Sequence, residues 1–463
     1  MSFERQQHLD STYVMHTYGR LPVEFVSGEG MMLTASNGRT YRDFLAGIGV
    51  CCLGYNHPRV TDAVRTQAEK LLTVSNYFYT EHRGEVAALI SKLANNDMAG
   101  AQAIVAALDA GDETALDAAC TPQAGEQVWK TFFANSGAEA NEGSMKLARL
   151  YAQRAGNGGN TIVCLTGGFH GRTLETIAAT MQARLQDSFK PLPSGFVACE
   201  PNNIEDLHNI FESYGSEICA VMFEPIQGES GVHPLTAEFV QAAEKLVHGV
   251  GGLTIADEVQ AGVFRCGVPF ASQLLGITPD IMSLAKGIAG GITAAACVAR
   301  AEIADTFKPG DHGSTSVATA GGCGGRGGAA PSWCAATSWR TCARWVASWP
   351  SSWGRCPAWS RCAVRASCSV AILPRARPRR TMWWPRCSTR ASLSTRRAPT
   401  PFASCRRLSA VTPMWRRSWR RLPRCWRARR ARPRRAACAI LKRVCTPAAF
   451  PVYCLLTGDW RNG

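Results

Sequence analysis

The chain has 463 residues and a formal net charge of +16. That length leaves room for two or more domains with sizeable cores. With no charged, apolar and small-residue leader at Met1 and no run of about 18 apolar residues, a soluble, cytoplasmic protein is expected.

The charge averages two unlike segments. Residues 316–463 hold 30 Lys and Arg, 29 of them Arg, against one acid, Asp459. Residues 1–315 keep 21 basic and 34 acidic residues, a net of −13. The later segment also holds 12 of the 13 Trp and 12 of the 20 Cys, and no Glu, Gln or His. The first has the composition of an acidic enzyme; the second does not have that of a globular domain. Its cysteines follow neither zinc-ribbon nor disulfide-framework spacing, and the eight in residues 1–315 read as buried thiols without metal-ligand spacing.

In chain order, residues 13–60 alternate short β-type runs with turn signals such as Ser36-Asn37-Gly38, which suggests a small meander. HPRVTDAVRTQAEKLL carries helical periodicity. Residues 98–128, rich in Ala and Asp, read as two short surface helices without chemistry. From Trp129 on, KTFFAN, TIVCLT, FVACE, EICAVMFEP and LTIADE are apolar strand-like runs separated by helical segments. Repeated units of this kind build an α/β fold with a mostly parallel sheet covered on both faces.

Chemistry concentrates at the ends of these runs, where open α/β sheets place their sites. LTIADEVQAG brings Asp257, Glu258 and Gln260 to one end, and PDIMSLAKGIAGG delivers Lys286 into a glycine-rich turn. Either residue alone is more often just a strand-end acid or a surface lysine. Together, a lysine able to form a Schiff base and a carboxylate able to keep a pyridine nitrogen protonated point to pyridoxal phosphate. Asn135-Ser136-Gly137-Ala138 joins a strand to a helix amino end, a place suited to a phosphate but common in mere packing. Gly168-Phe169-His170-Gly171-Arg172-Thr173 sets an aromatic ring, a histidine and a carboxylate-clamping arginine beyond another strand.

FFANSGAEANE, GFHGRT, EPIQGESG, DEVQAG and AKGIAGG occur in order, and over about residues 13–315 the chain resembles the class III (ornithine-type) pyridoxal-phosphate aminotransferases. The resemblance implies a fold-type I transferase: residues 1–60 as the N-terminal part of a small α+β domain, 61–312 as the large cofactor-binding domain carrying 98–128 as a surface insertion, and 313–463 as an aberrant tail. It implies that Lys286 binds the cofactor and moves the substrate proton, that Asp257 pairs with the ring nitrogen, and that Gln260 lies near the ring hydroxyl. Ser136, Gly137 and Ala138 then hold the phosphate and Phe169 stacks on the ring. Arg172 clamps the substrate carboxylate, Glu229 gates between amine donor and dicarboxylate acceptor, and Thr315 reaches a partner subunit's phosphate, so a homodimer is implied. Ile48 stands where ornithine-specific members place a tyrosine for the free α-amino group. The resemblance therefore favours N2-acetyl-L-ornithine with 2-oxoglutarate, hence arginine biosynthesis; ornithine, succinyl-diaminopimelate and 4-aminobutyrate remain open.

The family continues HGSTFGGNP, whereas His312-Gly313-Ser314-Thr315 is followed here by Ser316-Val317-Ala318-Thr319. Were these four encoded TCG GTG GCA ACC, one T placed in front would spell Phe-Gly-Gly-Asn. Residues 316–463 then read as mostly out-of-frame translation of GC-rich DNA. The polypeptide as it stands would lack the C-terminal small domain and a second carboxylate-binding arginine, and is expected to fold poorly or lack turnover. A competing reading takes the Arg runs interleaved with Trp as a nucleic-acid-binding segment.

Overall fold

The computed structural model describes residues 2–155 and 157–315, with the backbone of Leu373 and Pro374. All fall in the first of the two units into which the chain divides, Met1–Arg380. After the helix Phe3–Tyr13, capped by Ser2, come three antiparallel strands, β1 (Phe25–Glu29), β2 (Met32–Ala35) and β3 (Thr40–Arg42). This is the meander that the turn residues called for. Leu373–Pro374 pairs on the open edge of β3, against Arg42 and Tyr41.

The later strands are β4 (Trp129–Ala134), β5 (Thr161–Leu165), β6 (Phe196–Cys199), β7 (Ile218–Phe223), the short ribbon β8 (Ile226–Gln227) and β9 (His233–Pro234), then β10 (Leu253–Asp257), β11 (Ile281–Leu284) and β12 (Ala295–Arg300). Seven of them make one sheet in the order β4-β12-β11-β10-β7-β5-β6. β10 pairs in parallel with β7 and β11, and β5 with β6 and β7. β12 runs against both its neighbours, β11 and β4.

The apolar runs are continuous because both faces of the sheet are covered. Along β5, Ile162 and Cys164 join one core with Ile255, Ile281 and the helix residues Met145, Leu147 and Ala148. Val163 and Leu165 join the other, with Val221, Phe223, Met282 and the helix residues Leu89, Ile90, Phe239 and Val240. Each of the buried Val, Leu, Ile, Phe and Met side chains among them contributes roughly 1.5–3 kcal/mol relative to exposure. The long helix Gly137–Ala155 thus covers one face, while Arg83–Ala94, Ile204–Tyr214 and Ala237–Gly249 cover the other.

Residues 98–128 do form two helices, Met98–Ala110 and Glu113–Cys120. The first does more than sit on the surface: Ala101, Ile104, Val105 and Leu108, one helical stripe, enter the larger core. Among the described residues no helix is long and apolar enough to cross a membrane.

Candidate functional site

The alternation of β10 decides which of two adjacent acids faces the expected site. Leu253 and Ile255 face the helix Gly137–Ala155 and Ala256 faces away, so Asp257 turns toward that helix and Glu258 toward the opposite core. Asp257 is 2% exposed. Its Oδ2 accepts from Asn141 Nδ2 at 2.8 Å and faces His170 Nδ1 at 2.8 Å, and its Oδ1 accepts from Val259 N at 3.0 Å. Glu258, fully buried, accepts instead from Ala271 N and Ser272 N at 2.9 and 2.7 Å. Burial pushes its carboxyl up to about 7 against these two hydrogen bonds.

Lys286 is the second residue after β11, half-buried, with φ at 45°. Lysine seldom occupies this left-handed region; such strain is held where surrounding structure fixes the backbone, commonly at functional sites. Ser283 pairs in register with Asp257, so the lysine turn leaves the sheet beside the acid. One strand over, Phe223 pairs with Ala256, which puts Glu224 next to Asp257 on the same face. Glu224 is buried and accepts from Phe169 N at 2.8 Å and Gly228 N at 3.2 Å. Burial first, then the charge of Asp257, raises it to about 7. His170 is also raised: burial opposes its charge most, but the hydrogen bond and charge of Asp257, with Glu224, outweigh that loss.

The expected phosphate loop opens the helix Gly137–Ala155, whose first N–H groups have no intrahelical partner by geometry. Ser136 Oγ accepts from Glu139 N at 3.2 Å and braces the turn. The loop bearing Phe169 touches it: at Gly171, φ 140°, a Cβ would lie 2.8 Å from Ala138 Cβ and 2.6 Å from Thr176 Oγ1. Gln260 packs over Gly228, where a Cβ would meet its Cγ at 2.8 Å, and beside Gly49.

The residues expected on the substrate side are more open. Arg172 is exposed, with its guanidinium carbon 5.6 Å from the Phe169 ring centroid. Glu229 is held by Arg184 Nη2 at 2.8 and 3.0 Å and by Gln182 Nε2 at 3.0 Å. Burial would raise its carboxyl, but Arg184, Gln182 and Arg172 together leave it below the usual range. Thr315 ends the described body, exposed; the preceding Ser314 accepts at its carbonyl from Asn76 Nδ2 (2.8 Å) and lies 3.4 Å from Asn135 Nδ2 through Oγ. The arginine-rich segment, and with it the nucleic-acid reading, lies outside the described residues.

The sequence reading passed over Asn141 and Glu224 and gave His170 no role. Glu224 had a usable signal, since it follows six apolar residues just as Asp257 follows its own apolar run. Asn141, in mid-helix, had none. Among the described residues Asn141 Oδ1, His170 Nε2 and Ser283 Oγ are buried without a hydrogen-bond partner. Polar groups left so are normally completed by a ligand or water.

The family described as Aminotransferase class-III matches residues 13–321. An acetylornithine aminotransferase of Caldanaerobacter subterraneus subsp. tengcongensis is 41% identical over 307 residues, 66% of this chain and 69% of that protein. One of Methanocaldococcus jannaschii is 39% identical over 316 residues, 68% and 71% of the two chains. Among solved structures, the ornithine aminotransferase of Toxoplasma gondii superposes with a TM-score of 0.60 at 26% identity, over 72% of this chain and 71% of that one. The acetylornithine aminotransferase of Elizabethkingia anophelis does so at 0.56 and 28%, over 72% and 73%.

Proposed function

Given that the chain belongs to the class III aminotransferases, which work with pyridoxal phosphate, we propose that it is built to move the side-chain amino group of N2-acetyl-L-ornithine to 2-oxoglutarate, a step of arginine biosynthesis. The observation that carries the chemistry is the buried Asp257 at the end of β10, beside the strand that delivers Lys286.

The residues present fit the cofactor. Asp257 already accepts three hydrogen bonds and, as a carboxylate, has capacity for about one more, which suits a protonated ring nitrogen. Ser136, Gly137 and Ala138 would hold the phosphate, Phe169 would cover the ring and Gln260 would lie toward its hydroxyl. When bound, the cofactor supplies an electron sink for the carbon that gives up its proton. The protein's part is to hold and orient. Lys286 Nζ would hold the cofactor and carry the substrate proton, and Arg172 would take a substrate carboxylate. Glu229, by keeping or releasing Arg184, sets whether a second carboxylate is admitted.

The acetylated donor is favoured by the relatives' activity and by Ile48, which is 62% exposed, precedes Gly49 in the chain and offers no polar partner to a free α-amino group. A homodimer is part of the proposal. Tyr13, Met15, Tyr18, Tyr77, Phe78 and Tyr79 are exposed apolar groups on the N-terminal 80 residues, and a second copy would cover them. We further read residues 316–463 as shifted in frame, which is supported by the family match ending at residue 321. The polypeptide as it stands would then be impaired, and resequencing the coding DNA around codon 316 checks this; an intact frame there refutes it.

The experiment for the activity is borohydride reduction of the chain incubated with pyridoxal phosphate, followed by peptide mapping. The label is expected on Lys286 and is expected to vanish in Lys286→Ala; a label elsewhere rejects the assignment. Profiling amine donors with 2-oxoglutarate then separates N2-acetyl-L-ornithine from ornithine, succinyl-diaminopimelate and 4-aminobutyrate.

A further inference from the structure

Two loops meet beside Asp257: residues 166–173, which carry Phe169 and Arg172, and residues 224–231, which carry Glu229. Between Gly168 and Phe169 lies one peptide unit, and both of its polar ends are taken by side chains. Its N–H, from Phe169, donates to Glu224 Oε1 at 2.8 Å. Its carbonyl, on Gly168, accepts from Gln182 Nε2 at 2.9 Å. Each of these two side chains also grips the other loop. Glu224 Oε2 accepts from Gly228 N at 3.2 Å, and the same Gln182 nitrogen donates to Glu229 Oε2 at 3.0 Å.

We propose that Glu224 and Gln182 are positioning residues that clamp the Gly168–Phe169 peptide from both ends, so that a change of partner at Glu229 is transmitted to Phe169. A rigid planar peptide held at N–H and C=O cannot rotate unless one hydrogen bond breaks. Gln182 cannot follow Glu229 without loosening the Gly168 carbonyl, because a single nitrogen serves both. Glu224 resists on the other side: it is buried, and its two oxygens are committed to one N–H from each loop. A third tie, Gln227 Nε2 to Thr166 O at 2.9 Å, keeps the bases of the loops together and leaves their tips to the clamp. The consequence is that the residue facing the cofactor ring senses which carboxylate partner Glu229 has taken. This rests on the reading of Phe169 and Glu229 given above.

The test is amide hydrogen exchange on the full chain, read at the Phe169 N–H, without cofactor. Arg184→Ala removes a donor from Glu229 and also from Gln182 Oε1, which accepts from Arg184 Nη2 at 2.8 Å. Glu229→Ala, which leaves that Arg184–Gln182 contact in place, is the variant that isolates Glu229. With either one, exchange at Phe169 is expected to rise roughly fivefold, the effect of about 1 kcal/mol. In a Gln182→Met background, which keeps length and removes the hydrogen bonds, Phe169 should exchange faster from the outset. It should no longer respond to Arg184→Ala. Glu224→Gln, which keeps one acceptor and turns a donor toward the second N–H, should expose either Phe169 or Gly228 while peptides of β5 and β10 stay protected. An equal response to Arg184→Ala with and without Gln182 overturns the proposal, as does parent-like protection of both amides in Glu224→Gln. Borohydride labelling of the parent reports separately on Lys286, so loss of that reading leaves the amide result standing.

Discussion

Two carboxylate–cation pairs in this molecule have the same separation and opposite surroundings. Asp257 and His170 meet at 2.8 Å with side chains 2% and 1% exposed. Glu229 and Arg184 also meet at 2.8 Å, with 33% and 60% exposed. In water the Coulomb attraction at such a distance is about 1 kcal/mol, and it is screened by salt; in the interior it is several times larger, but each charge has lost its hydration. The first pair therefore cannot separate without stranding a buried charge, and suits a permanent job such as holding a ring nitrogen. The second exchanges partners at little cost, which is what a residue that alternately releases and binds a carboxylate needs.

The largest effect should come from breaking the buried pair. His170→Ala leaves Asp257 with Asn141 and the Val259 N–H but no cation, and unfolding experiments should show a loss of about 3–5 kcal/mol. The pH dependence has a definite sign. His170 is raised on folding, so its contribution is complete below its ordinary value of 6.5 and fades as pH rises through the elevated one. Parent and variant should therefore differ most at acidic pH and converge on the alkaline side. A gap that widens with pH contradicts the assignment of the proton to His170.

Glu258 lies in an equally dry place without a cation, and serves as the control. Its carboxyl is raised by burial from 4.5 to about 7. Stability from this group is full below pH 4.5 and lost as pH climbs through 7, up to about 3 kcal/mol in all. Glu258→Gln loses one acceptor for the Ala271 and Ser272 amides and should be less stable at pH 5. Its melting temperature should then fall much less than the parent's between pH 5 and 8. The remaining fall belongs to His170, Glu224, Glu244 and His248, which are raised as well. A Gln variant with the parent's full fall would mean that Glu258 stays charged throughout.

The same contrast explains what could be read from residues alone. Asp257, Lys286 and the turn at Ser136 stand at strand ends, where an apolar run stops and a polar group begins. The parallel sheet followed from runs such as Ile218–Phe223, apolar on both faces. β12 was not found, because Ala295 and Ala296 carry little strand preference and its place between β11 and β4 is set by packing. The role of His170 and the presence of Asn141 escaped because their partner, Asp257, lies 87 and 116 residues away in the chain. Arg184 escaped for the opposite reason. An exposed arginine is ordinary, and only its contact with Glu229 gives it meaning.

Breaking the exposed pair should produce the smallest change in stability and a selective one in function. Arg184→Ala is expected to lower stability by less than about 1 kcal/mol, an effect that shrinks further as salt is added. If Glu229 alternates between partners, removing Arg184 changes the binding of the dicarboxylate acceptor and leaves that of a monocarboxylate amine donor nearly unaltered. The measurement is KM for each substrate at low and high ionic strength in an in-frame, full-length version of the gene. A several-fold shift confined to the acceptor and diminished by salt assigns Arg184 to the exchange. Equal shifts for both substrates would instead place it among general contributors to the field over the site mouth, because a screened surface charge acts alike on any anion.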